Sequence, residues 1–261
     1  MRRNFHRHTN EKKNTINPLF IVRIAVGVLL VLFAIGIWFY HHPFRPVSPS
    51  QQPSETSGSG EIIKPTSLPS ELMDPNSLSV LVNDNHPLSF DYVPSDLINT
   101  LGSVAGDAIL ISQRMDEDLA NLLTDAAYDE IALYITAGYI SYETQQDYYN
   151  AQVKLVGEKE ALKTVSKPGC SEHQTGYSID FSDNNSGENP RTMDFANTDA
   201  YRWLCEHAHE YGFILRYPAG KEEITSNSYE PWHFRYVGID TATAMYEQAP
   251  DLTLEEYYNV R

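Results

Sequence analysis

From Ala108 to Asp129 (AILISQRMDEDLANLLTDAAYD) apolar residues return every three or four positions, with Leu110, Met115, Leu119, Leu122, Leu123 and Ala126 on one side. That period predicts an amphipathic helix. The pattern changes in IALYITAGY (131–139), where Ile131, Leu133 and Ile135 alternate with smaller or polar residues, as in a strand that runs into Gly138. The polar, glycine-poor run from Ser141 to about Lys163 favours a second helix. YSIDF (177–181) is a short β-prone segment, and the turn formers SDNNSGENP after it mark a loop. Thr198 is placed to cap a helix, TDAYRWLCEHAHEY, that stops at Gly212. FILRY and HFRYV supply two more strands, and LTLEEYYNV a closing helix. Helices and short strands thus interleave, which predicts an α+β fold with a small, mostly antiparallel sheet flanked by helices. The chain shows no internal repeat.

A different pattern occupies the N-terminus. Residues 19–40 read LFIVRIAVGVLLVLFAIGIWFY, with Arg23 their only charge. At about 1.5 Å per residue this run is long enough to cross a hydrocarbon core of about 30 Å, so an N-terminal transmembrane helix is expected here. Arg2, Arg3, Arg7, Lys12 and Lys13 precede it, which puts a basic segment (1–18) in the cytoplasm and the C-terminal part outside the cell. A cleaved signal peptide is the alternative, but the run exceeds the usual apolar region and ends in Trp38, Phe39 and Tyr40 rather than in small residues. Six prolines with Ser, Gln, Gly and Thr in 43–70 describe a disordered, extended stalk (41–72). Residues 73–261 then form one extracellular domain, anchored as a single-pass protein of the cell membrane.

Charge sharpens this division. The net charge of −16 hides six basic residues against one acidic in the first 42, and 13 against 34 in the remainder. An acidic body of that kind repels phosphate backbones, so nucleic acid is not an expected partner. Cys170 and Cys205 are too few for a disulfide scaffold and lack metal-finger spacing. They either pair with each other in an oxidising compartment or sit apart as small buried hydrophobes.

Two segments hold the residue types of a hydrolytic metal site. Ser171–Asp180 carries His173 and Asp180, and Glu230-Pro-Trp-His233 carries a second histidine and a glutamate. Two imidazoles and a carboxylate leave one position of a tetrahedral zinc open, as catalytic rather than structural sites require. Glu230 could then move a proton between water and a leaving amine. Spacing alone is weak support, since the chain has nine histidines. His173 could equally be a hydrogen-bonded core histidine and Asp180 a turn residue.

SEHQTGYSID and EPWHFRYVG resemble the paired signatures of the M15B family, the VanY-like D-Ala-D-Ala carboxypeptidases and related L,D-carboxypeptidases. The similarity extends in order from about Asn83 through AGYISYETQ and TDAYRWLCEHAHEYGFILRYPAGKEEIT to LEEYY. The resemblance implies a zinc metallopeptidase that trims peptidoglycan stem peptides. It implies Zn2+ held by His173, Asp180 and His233, Glu230 as catalytic base, and Gln145, Ser171, Tyr139 and Trp232 near the bound peptide. Arg216 and Arg235 match family arginines and read as structural pairs, and His207 and His209 as structural or exposed.

One departure matters. The family pattern SGYRSxxxQ stands here as Ala137-Gly-Tyr-Ile140-Ser-Tyr-Glu-Thr-Gln145, so isoleucine replaces an arginine suited to a carboxylate or an oxyanion. Three readings stay open: another cation substitutes, an internal bond is cut, or peptide is bound without turnover.

Overall fold

The computed structural model describes residues 68–100, 108–183 and 191–260. The expected basic segment, the 19–40 span and most of the stalk lie outside the described residues. Among the described residues no helix is long and apolar enough to cross a membrane. Packing begins a little before residue 73: Leu72, in the single turn Ser70–Met73, is fully buried.

Among the described residues six short strands define the fold: β1 (Leu97–Thr100), β2 (Ile109–Ser112), β3 (Tyr134–Ala137), β4 (Ser178–Ser182), β5 (Phe213–Leu215) and β6 (His233–Tyr236). β1 and β2 form a two-stranded sheet, and a second sheet has the order β3-β4-β6-β5 with every pair antiparallel. The α+β expectation holds. Within 108–129, however, the helix spans only Asp116–Tyr128, because Ile109–Ser112 pairs with β1 instead. Ile109 and Ile111 suit the pleated surface of a strand, and the Ser112 hydroxyl accepts from the Arg114 N–H, closing the strand with a turn. Asp116, Glu117 and Asp118 then occupy the first helical turn, where carboxylates complement the helix dipole.

Ser141 caps the Tyr142–Val156 helix by accepting from the Thr144 N–H. Gly157, at φ 84°, ends it short of the expected Lys163 and leads into the turn Glu158–Ala161. Thr198 caps Asp199–His207 as expected. Sequence periodicity did not indicate the Ile239–Gln248 helix, which buries only Ala242 and Met245. Thr253 and Glu256 form a reciprocal capping box on the closing helix Leu254–Tyr257. Cys170 is buried, Cys205 half-buried, and both are free thiols.

Alternation along the strands gives the larger sheet two chemically different faces. Ile179 and Phe181 of β4 and Phe234 and Tyr236 of β6 join Leu119, Leu122, Trp203 and Leu204 in the main apolar core. The intervening residues, Ser178 and Asp180 on β4 and His233 and Arg235 on β6, are buried as well, but among polar groups.

Beneath that second face lies an ion cluster excluded from water. Arg216 donates through Nε to Glu172 at 2.7 Å and through Nη1 and Nη2 to Glu255 at 2.9 and 2.8 Å. Arg235 lies 3.1 Å from the same Glu172 oxygen, in ion-pair contact without good hydrogen-bond alignment. Buried charges persist only when paired, so two arginines and two glutamates bind the 172 turn, the sheet and the closing helix together. Glu255→Ala is expected to destabilise the fold by about 3–5 kcal/mol in urea unfolding, because it strands a buried guanidinium. Glu256→Ala, which removes a capping contact and a more exposed pair with Lys221, is expected to cost only about 1 kcal/mol.

Candidate metal centre

Strand register brings the first two donors together. Asp180 of β4 stands directly opposite His233 of β6, and Asp180 Oδ1 lies 3.0 Å from His233 Nδ1. His173 arrives from the turn Glu172–Thr175, which Gly176 closes at φ 73°, a conformation that side chains disfavour. A Cβ on Gly176 would also approach the Ser112 amide nitrogen to 3.3 Å.

The His173 ring is aimed by β3. The β3–β4 register shifts between Ile135 and Ala137, and the Gly138 carbonyl beyond that bulge accepts from His173 Nδ1 at 2.7 Å. Glycine is needed there because a Cβ would fall 2.4 Å from the Leu110 carbonyl oxygen. With Nδ1 donating, His173 Nε2 turns its lone pair toward Asp180 Oδ1 at 3.2 Å. Burial holds the His173 pKa down despite Asp180.

An acceptor nitrogen facing a carboxylate oxygen across a buried gap is stable only with a proton or a cation between them. Burial disfavours the proton on His173, so the gap suits a cation. His173, Asp180 and His233 each offer a ligand atom, all within 4.8 Å of one another. The donor set therefore fits a divalent metal of borderline softness such as zinc, with one position left for a small molecule.

The surroundings support that fit. His233 loses proton affinity to burial but gains more from Asp180, Glu172 and Glu230, and its pKa is pushed up to about 9. The pocket thus favours positive charge. His233 Nε2 is buried without a hydrogen-bond partner, 3.9 Å from Glu172 Oε2. The Tyr217 ring stacks on His233 at 4.9 Å between centroids, confining the imidazole to one plane.

Two glutamates beside the site are driven in opposite directions. For Glu172 burial opposes ionisation, yet Arg216 and Arg235 outweigh it and hold the carboxyl below the usual range. Glu230 is pushed up to about 7, first by burial and then by Asp180 and Glu172, against His233 and Arg191. Its Oε2 stands 3.9 Å from His233 Nδ1. A carboxyl balanced near neutrality and open to the cleft is suited to taking and returning a proton.

These residues line a cleft of about 650 Å3. Gln145, Ser171 and Trp232 lie on its wall, whereas Tyr139 does not; its amide instead donates to Leu110 O at 2.7 Å. Gln145 is partly committed to the scaffold, donating through Nε2 to Ser166 O at 2.8 Å. His207 and His209 stand apart, the first 3.5 Å from Glu210 and the second stacked on Tyr246. Three charged or aromatic cleft residues in contact with the histidines or Asp180 had no site role assigned from the sequence. Glu172 lay unremarked inside SEHQTG, Tyr217 inside a segment read only as strand, and Arg191 after a run of turn formers with no motif to flag it.

Two histidines and an aspartate gathered around one point, with a proton-balanced glutamate lining the same cleft, are the donor set that metal-dependent hydrolases use. Residues 108–239 match the VanY family, D-alanyl-D-alanine carboxypeptidase. A D-alanyl-D-alanine carboxypeptidase of Enterococcus faecalis is 37% identical over 191 residues, covering 69% of this chain and 65% of that protein. The structure of the LdcB LD-carboxypeptidase is 36% identical with a TM-score of 0.66, over 72% of this chain and 88% of that one. A vancomycin-resistance D,D-pentapeptidase VanY solved in complex with Zn(II) is 33% identical with a TM-score of 0.59, over 70% of this chain and 99% of that one. The chain belongs to the VanY family.

The raised pKa of Glu230 has a measurable sign. Its carboxyl binds a proton more tightly folded than unfolded, so its contribution to stability is complete below about pH 4 and is lost as pH rises through about 7. Glu230→Gln removes that loss. In the metal-free chain the variant is expected to match the parent near pH 4 and to exceed it by about 3 kcal/mol at pH 8, read from urea midpoints at both pH values.

Proposed function

We propose that this protein is a zinc-dependent carboxypeptidase that trims peptidoglycan stem peptides outside the cell, removing a terminal D-Ala. The observation that carries the reading is the convergence of His173, Asp180 and His233, with Glu230 lining the same cleft. Family membership and the Zn(II)-bound relative support it. The basic N-terminus and the apolar 19–40 run support a membrane-anchored catalytic domain on the outer side.

In this reading His173, Asp180 and His233 hold the zinc. Zinc in such a site supplies Lewis-acid polarisation of a carbonyl and a more acidic water. Glu230 accepts the proton of the attacking water and returns it to the departing amine. Burial of the cleft floor lowers the local dielectric and strengthens these charge interactions. Tyr217 and the Gly138 carbonyl keep the two imidazoles from rotating, so little reorganisation accompanies the reaction. Ser171 and Trp232 border the peptide.

Ile140 favours a second reading, a wall-peptide-binding protein that keeps zinc for its fold. Product analysis separates the two. Purified full-length chain, loaded with zinc and incubated with defined penta- and tetrapeptide stems, is expected to release a single alanine. Glu230→Ala is expected to lower that rate by about 10²- to 10⁴-fold. Chelation should stop release and added zinc restore it. Peptide binding without any release, with zinc bound and the fold intact, would instead establish the binding role.

A further inference from the structure

The two oxygens of Glu172 have different neighbours. Oε1 takes Arg216 Nε at 2.7 Å and Arg235 Nη1 at 3.1 Å. Among the described residues the only hydrogen bond to Oε2 is a long one from the Ser178 hydroxyl, at 3.4 Å. Oε2 also faces His233 Nε2 at 3.9 Å, within ion-pair range, and that buried nitrogen has no hydrogen-bond partner among the described residues. A carboxylate held between two guanidiniums is an anion. A ring lone pair aimed at it, with water excluded, would be both repelled and unsolvated. A proton on Nε2 removes the conflict, and the two arginines already balance the charge of Glu172, so no further cation is called for between them. The lone pair of a neutral His233 then sits on Nδ1, 3.0 Å from Asp180 Oδ1.

His173 is arranged the other way. The Gly138 carbonyl can only accept, so it keeps the proton on Nδ1 and leaves Nε2 at 3.2 Å from the same Asp180 oxygen. The two imidazoles meet edge to face, 88° apart in plane and 4.8 Å between centroids, so a different nitrogen of each converges on one point. We propose that Glu172 is a positioning residue for the metal centre: its Oε2 keeps the His233 proton on Nε2, reserves Nδ1 for the metal and so sets how tightly the metal is held. The proposal rests on the zinc reading above and deepens it, because it gives the buried ion cluster a part in the chemistry as well as in folding. Rotating the His233 ring by half a turn would present carbon to both Asp180 and Glu172, so the two carboxylates together select the observed orientation.

Ring-nitrogen NMR and zinc affinity test this on the full-length chain. In zinc-loaded parent carrying isotope-labelled histidine, His233 is expected to keep a slowly exchanging proton on Nε2 while Nδ1 shows the shift of a metal-bound nitrogen. Glu172→Gln, which keeps an acceptor but loses the charge, is expected to weaken zinc binding by about 10- to 100-fold in chelator competition and to speed exchange of that proton. Glu255→Gln disturbs the same cluster through Arg216 without touching His233. It is expected to lower the urea midpoint and to leave zinc affinity within about twofold of the parent. Should Glu172→Gln fail to fold, Glu172→Asp, which keeps the charge and draws the oxygen back, is expected to weaken zinc several-fold and to speed the same exchange. A merely structural Glu172 would make zinc affinity fall in step with stability in every variant, and that result would overturn the proposal. So would zinc-loaded parent lacking the Nε2 proton, glutamate variants that bind zinc as the parent does, or a parent that binds none. Failure of the peptidase reading shows separately, as absence of alanine release by a parent that binds zinc with the Nε2 proton in place.

Discussion

The pairing of Glu172 with two buried arginines underlies both the fold and the site. Arg216 extends from the end of β5, Arg235 from β6, and Glu255 from the closing helix, and none is exposed enough to be hydrated. Such groups are tolerated only in mutual contact, so the elements that carry them must dock in one arrangement. Glu172 is the residue before His173 in the chain. A salt-bridge cluster that ties down the C-terminal helix therefore also sets where His173 begins, and it adds to the hold that the Gly138 carbonyl and Tyr217 have on the two imidazoles.

Environment, not residue type, divides the labour among the carboxylates. Glu172 and Glu230 flank the same histidine, yet arginines keep the first ionised while burial and neighbouring carboxylates hold the second near neutrality. Asp180 is held well below the usual carboxylate range; burial opposes this, but Arg191 and the two histidines outweigh it. One acid can anchor, one can ligate and one can exchange protons within a few ångströms of each other. That separation follows from which charged neighbours each carboxylate meets: two arginines for Glu172, Arg191 and two histidines for Asp180, and, beyond burial, other carboxylates opposed by His233 and Arg191 for Glu230.

Much of this was legible in the chain. Strong periodicity and good caps located Asp199–His207 and the strands that carry Asp180 and His233, and the two signature segments brought the donor residues into view before any coordinates. Residues 108–112 misled because isolated Leu110 fits a helical period as well as a strand, and only pairing with Leu97–Thr100 decides between them. Ile239–Gln248 was missed because three of its five apolar residues are alanine or methionine, too weak a stripe to register. Arg191 could not be found by pattern, since its position depends on a tertiary contact with a residue eleven places earlier. Tyr139 was expected at the peptide, but the turn after the β3 bulge takes its backbone toward β2.

The Asp180–His233 register has a consequence for how the protein can vary. The two donors are 53 residues apart in sequence but paired across one ladder. Their spacing is set by the separation of two hydrogen-bonded strands and is indifferent to the length of the chain between the strands. Loops and helices in that interval can therefore lengthen, shorten or change composition and leave the metal geometry untouched. A slip of one residue within the three-pair ladder would instead turn His233 toward the phenylalanines. The sheet thus works as a ruler: it insulates the chemistry from most of the sequence and concentrates its vulnerability in a few hydrogen-bonded positions.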